Sequence, residues 1–238
     1  MYYFNKQLKY VVFVVFSLLS AWAQAGAYED FFKAVQLNNV RVVQALLQRG
    51  FDPNSVSPEG VPALMVAVRE PAIQVAELLA SWPTTRTEVR NASDESPLML
   101  ASLKGYLSLV KRLVDNDADV NKTGWTPLHY AATGGHVPVI EFLLDQSAYI
   151  DAESPNGTTP LMMAAMYGSP EAVKVLIQAG ADLTLKNQLG MTALDFAIRG
   201  QRANARELIE TGLSRLAERQ RRANAQGQPS STDRAVVR

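Results

Sequence analysis

Thr126-Pro127-Leu128-His129-Tyr130-Ala131 is a phrase that this chain repeats. It returns as Thr159-Pro160-Leu161-Met162-Met163-Ala164, as Thr192-Ala193-Leu194-Asp195-Phe196-Ala197 and, upstream, as Ser96-Pro97-Leu98-Met99-Leu100-Ala101. A worn copy stands at Pro62-Ala63-Leu64-Met65-Val66-Ala67. The shared leucine falls at 64, 98, 128, 161 and 194, in steps of 34, 30, 33 and 33. A second ladder, Leu46, Leu78, Leu113, Leu143, Leu176 and Leu208, keeps nearly the same period. Two ladders at one spacing mark a stacked array, in which each copy buries its apolar face against its neighbours.

Each copy carries its own folding instructions. The leading Thr or Ser supplies an N-cap oxygen, and Pro in the first helical position gives up no hydrogen bond there. Leu128, Ala131 and Ala132 lie at i, i+3 and i+4, which places them on one helical face. The alanines are small enough to admit a second helix at close range. Gly105, Gly135 and Gly168 are expected to end the first helix in the left-handed conformation. A second helix then follows, such as Pro138 to Leu144 or Pro170 to Ile177. It is expected to end near Gly50, Gly180 or Gly212, before a polar turn that leads to the next copy. The step of 30 leaves the turn between Asp119 and Gly124 about three residues short. At 81–93, Trp82-Pro83 stand where a glycine turn would be.

Outside the array the two ends differ in kind. Residues 1–10 hold Lys6 and Lys9 and no acid; VVFVVFSLLSAWA at 11–23 is apolar, and Ala23-Gln24-Ala25 offers small residues. A basic start, an apolar core and an A-x-A exit predict a signal peptide over 1–25, cleaved after Ala25 or after Ala27. A membrane span needs about 20 apolar residues, more than this run supplies. The chain has no cysteine, so disulfides, thiolate metal sites and a lipidated amino-terminal cysteine are excluded. Three N-x-S/T sequons (Asn91, Asn121, Asn156) matter only in a eukaryotic source. An exported, cysteine-free repeat chain reads as bacterial and periplasmic, with secretion as the alternative. The charges of residues 26–212 come to −6, and residues 213–238 carry +4, with six arginines against Glu218 and Asp233. An acidic body argues against nucleic acid as a ligand. The basic tail, 213–238, is expected either to close the last copy and then run disordered, or to touch an anionic surface or acidic partner.

No catalytic constellation emerges. The two histidines, His129 and His136, sit at repeat positions, and no nucleotide-, zinc- or hydrolase-type motif is present. Asp115-Asn116-Asp117-Ala118-Asp119 imitates the start of a calcium loop. Val120 occupies the position that needs Gly, and Thr126 the position that needs a bidentate Glu. The carboxylates read instead as helix end (Asp115), left-handed cap (Asp117) and turn (Asp119). Neither cofactor nor metal is expected.

The 33-residue step, the T-P-L-H-x-A signature and the turn Gly180-Ala181-Asp182 resemble the ankyrin repeat, over residues 28–212 in six units with degenerate caps. The resemblance implies an all-α solenoid of helix–turn–helix units joined by β-hairpin-like loops. It also implies a non-enzymatic, monomeric protein that binds a partner protein, as a scaffold or as a secreted effector on a host protein. The family's variable positions lie on a concave face of hairpin tips and the exposed side of each first helix. They fall here on Arg69, Leu103, Lys104, Trp125, Thr133, Met166, Tyr167 and Met191. Trp125 has two readings: an exposed anchor for the partner, or a lid folded over the gap in the shortened turn.

Overall fold

The computed structural model describes residues 26–227; the expected signal peptide lies outside them. Helices α1 (26–36) and α2 (Val40–Gln48) form the first repeat. Then come α3 (Ala63–Arg69) with α4 (Ile73–Ala80), α5 (Pro97–Lys104) with α6 (Leu107–Asp115), and α7 (Pro127–Gly134) with α8 (Val137–Asp145). The array ends with α9 (Pro160–Met166) and α10 (Pro170–Gln178), followed by α11 (Ala193–Arg199) and α12 (Ala203–Gly227). The only strand-like pairing among the described residues is one isolated antiparallel bridge, Val56 to Pro62. The chain groups into two compact units. One runs through Leu100 and includes Ser108–Ala118; the other holds Ala101–Leu107 and everything from Asp119.

Each unit has its own core, built on the two ladders. In the first unit Phe31, Leu64 and Leu98 are buried along the first helices. Phe31 extends the ladder one 33-residue step toward the amino terminus, and its ring lies 4.4 Å from that of Phe51. In the second unit Leu128 and Leu161 are fully buried and Leu194 half-buried. The second ladder needs correction at two rungs. Leu79 and Ile209, both at 0% exposure, hold the places assigned to Leu78 and Leu208, which are half-buried. The corrected rungs, Leu79, Leu113, Leu143, Leu176 and Ile209, step by 34, 30, 33 and 33, like the first ladder. Adjacent leucines on one helix are about 100° apart, so only packing chooses between them.

The helix ends follow the sequence with three exceptions. Thr126, Thr159 and Thr192 cap α7, α9 and α11 through their side chains, and Asp117 is left-handed at φ 65°. Gly105 and Gly135 are left-handed as expected. Gly168 is not: Ser169 caps α10 there, and a Cβ on residue 168 would come within 2.4 Å of the Ala132 carbonyl oxygen. Close approach, not backbone angle, is what demands glycine. Nor does Gly212 end a helix; α12 runs through it to Gly227, so the expected tail is helical from Leu213 to that point. In α3 the N-cap is Pro62, which offers no side-chain oxygen.

Successive turns are closed alike. Backbone bonds join Ser57 to Val61, Asn91 to Glu95, Ser154 to Thr158 and Asn187 to Met191. In the fourth repeat the finger is cut to Lys122-Thr123-Gly124, with bends on either side of Lys122. Its base is still tied to the fifth repeat: Asn121 donates to the Ser147 carbonyl and accepts from the Tyr149 amide, both at 2.8 Å.

Candidate functional site

The histidines serve the frame. His129 is fully buried at the third position of α7. Its Nδ1 accepts the Thr126 amide at 3.1 Å, and its Nε2 donates to the Thr158 carbonyl at 2.8 Å, which ties the fourth repeat to the fifth. These partners fix the neutral Nε2–H tautomer. Burial pulls the imidazole down to about 4, against smaller opposing contributions from the Thr158 and Ala152 backbone. In the neighbouring repeats a different acceptor takes the same amide: Met162 Sδ from Thr159 at 3.4 Å, and an Asp195 carboxylate oxygen from Thr192 at 2.7 Å. The Thr192 backbone bond, followed by its hydroxyl, holds the Asp195 carboxyl below the usual carboxylate range.

His136 works at the other end of the repeat. It donates to the Leu103 carbonyl at 2.9 Å. One repeat on, the Ser169 hydroxyl donates to the Gly135 carbonyl at 3.1 Å, and one further Arg202 donates to the Gly168 carbonyl. Three unlike side chains thus tie successive repeats, because each needs only to present a donor to a backbone carbonyl at the end of the preceding first helix. No group of three or more His, Cys, Asp or Glu side chains that could hold a metal occurs among the described residues. Asp119 accepts the Asn121 amide at 2.8 Å, a turn contact.

The partner-facing positions divide between the two units. In the first unit Arg69 is exposed, with its guanidinium 3.9 Å from Glu95. In the second unit Leu103, Thr133 and Met166 fall at one position of successive first helices, and Arg199 continues the row one step on. The first three are half-buried; Lys104, Tyr167 and Arg199 are exposed, Tyr167 to 54%. The Thr133 hydroxyl is turned back onto the His129 carbonyl at 2.7 Å. A parallel row was missed in the sequence: Tyr130, Met163 and Phe196, all half-buried. The signal was available, since these are the x of T-P-L-H-x-A at 33-residue steps. Arg199 had the same signal, and it reaches Met191 Sδ at 3.8 Å.

Trp125 is half-buried rather than an exposed indole. Its ring meets the His129 imidazole edge-on, with centroids 5.2 Å apart and planes at 73°. The corresponding residue of the fifth repeat, Thr158, is buried at 2%, so the hairpin-base row runs from Trp125 to Met191 with a break between them.

These features define an all-α solenoid of helix–turn–helix repeats that displays side chains along its first helices. The family described as ankyrin repeats matches residues 31–123, 74–154 and 148–216, and the chain belongs to it. Among relatives, the mouse ankyrin repeat and SAM domain-containing protein 6 is 34% identical over 141 residues, 57% of this chain and 16% of that protein. The chain therefore spans only a small part of that relative. Among solved structures, the human ASB11 ankyrin repeat domain superposes with a TM-score of 0.69 at 24% identity, covering 76% of this chain and 82% of that one. An ankyrin repeat domain from Acinetobacter baumannii AYE gives 0.66 at 24% identity, covering 76% and 96%. Ankyrin repeats are in general non-enzymatic protein–protein interaction modules.

Proposed function

We propose that this chain is a monomeric binding module or scaffold that acts outside the cytoplasm. It engages a partner protein through the first-helix face of its second unit. The observation that carries the reading is the double row formed by Tyr130, Met163 and Phe196 beside Thr133, Met166 and Arg199, with Tyr167 exposed at its border. Half-buried aromatic and methionine side chains, rimmed by Lys104 and Arg199, have the composition of an interface centre with a charged edge. A photo-crosslinking residue at position 104, exposed on the rim of this face and activated in living cells, should trap one protein partner. The pair Met163→Ser with Tyr167→Ala should weaken capture at least tenfold; unchanged capture by that pair would remove the face from consideration.

Export rests on the leader pattern of residues 1–25. Both cleavage sites retain Tyr28, whose hydroxyl donates to the Val56 carbonyl and whose ring lies 5.0 Å from Phe32. Sequencing the amino terminus of the fractionated protein should give Gly26 or Tyr28, and Met1 on a periplasmic form would refute cleavage. Recovery from culture medium instead of the periplasm would favour the effector alternative.

A further inference from the structure

The second helices of the preceding five repeats stop after eight or nine residues, whereas α12 runs for 25. Gly212 marks the departure. A Cβ there would come within 2.8 Å of Leu183 Cδ1, so glycine lets the helix cross this leucine at close range. Beyond it, α12 overhangs the turn at 180–184 and leaves a groove of about 760 Å³. Ile177, Leu183 and Leu216 line it with apolar surface, while Arg215 and Arg219 stand on the helix wall. Both arginines are exposed, and among the described residues neither has an ion-pair or hydrogen-bond partner. Asp182, on the opposite lip, is engaged by the Thr184 amide and hydroxyl, both at 2.7 Å.

From this geometry we infer that the groove under the α12 overhang is a second docking site, and that it takes an extended acidic peptide alternating carboxylate and apolar side chains. Arg215 and Arg219 are one turn apart, a rise of about 6 Å. Carboxylates two residues apart on an extended strand are separated by about 6.6 Å, so each can meet one guanidinium. The intervening side chain then points toward the apolar surface of the turn. A bilayer fits less well. Leu216, at 37% exposure, is the one large apolar side chain exposed on the described part of α12, so the helix has little to insert. The site is separate from the first-helix face, and neither reading depends on the other.

The test uses the full mature chain and an end-blocked, fluorescently labelled peptide, Ser-Glu-Leu-Glu-Leu-Glu-Ser, read by anisotropy. Saturable, salt-sensitive binding is expected, weakened at least tenfold by Arg215→Gln with Arg219→Gln and by Gln in place of Glu in the peptide. Arg221→Gln with Arg222→Gln removes the same charge from the same helix outside the groove and should cost less than twofold; circular dichroism checks that both pairs remain helical. Equal losses in the two pairs would reduce the effect to diffuse charge attraction and overturn the site. So would absence of peptide binding, including the case in which phosphatidylglycerol vesicles bind the wild type instead.

Discussion

The fourth and fifth repeats share a cap, a proline and a leucine ladder, yet they solve the same two problems differently. The fifth has a complete finger closed by the Ser154–Thr158 bond, Met162 as amide acceptor, and Thr158 buried at the hairpin base. The fourth has a finger three residues shorter, His129 as acceptor, and Trp125 laid edge-on against that histidine. Where the finger is short, an aromatic side chain supplies cover over the cap. Because His129 also donates across to the fifth repeat at Thr158, the fourth repeat carries a titratable joint where the fifth carries an inert thioether.

The largest expected effect tests what the two repeats share. Leu143→Ala and Leu176→Ala, both at fully buried rungs, should each cost about 2–5 kcal/mol in urea unfolding. A loss below about 1 kcal/mol in one repeat alone would show that the ladders are not equivalent.

Acid should separate the repeats. The His129 imidazole titrates lower folded than unfolded, so the unfolded chain binds the extra proton. This contribution is intact above about 6.5 and is lost as pH falls toward about 4, levelling off below it. The loss should approach about 3 kcal/mol, because each tenfold difference in proton affinity between the folded and unfolded chain is worth roughly 1.4 kcal/mol. His129→Met, which installs the fifth repeat's acceptor, should flatten that part of the pH profile. At neutral pH the same variant should cost only about 1 kcal/mol, through loss of one hydrogen bond to the Thr158 carbonyl, which keeps the Ser154 amide as a partner. A wild-type profile identical to that of the variant would refute the joint.

Trp125→Thr, which copies the fifth repeat's hairpin base, should lower stability by about 1 kcal/mol through loss of the edge contact and the cover it gives. If the indole also anchors a partner, the variant should weaken capture by roughly 2 kcal/mol or more. Stability loss with unchanged capture would leave Trp125 a lid alone. The smallest effect belongs to the finger itself. Inserting Ser-Pro-Asn between Thr123 and Gly124 should change stability by under about 1 kcal/mol, since loop-closure entropy rises slowly with length. A larger penalty would mean that Trp125 needs the short turn in order to pack.

Much of this was legible in the residues because the array repeats its local chemistry. Capping threonines, N1 prolines, the left-handed Gly105 and Gly135, the Asp117 substitute and the missing finger residues are all local signals, and each appears where the spacing put it. The face is a different matter. Seven of the eight positions carried over from the family resemblance lie in the second unit with Tyr130, Met163, Phe196 and Arg199. The last four were passed over although the same 33-residue step points to them.

The sequence by itself determined the period, the helix starts and the family, because caps and apolar spacing act within a few residues of the atoms they satisfy. Only the tertiary structure decided which of two adjacent apolar residues is a rung, as at Leu79 and Ile209, since a helix presents both and the neighbouring repeat accepts one. It also decided that Gly168 is needed for close approach, that Trp125 packs on His129, and that α12 continues past Gly212 to wall a groove. Each of these depends on atoms some 30 residues away or on a ring packed through space, which no local pattern encodes.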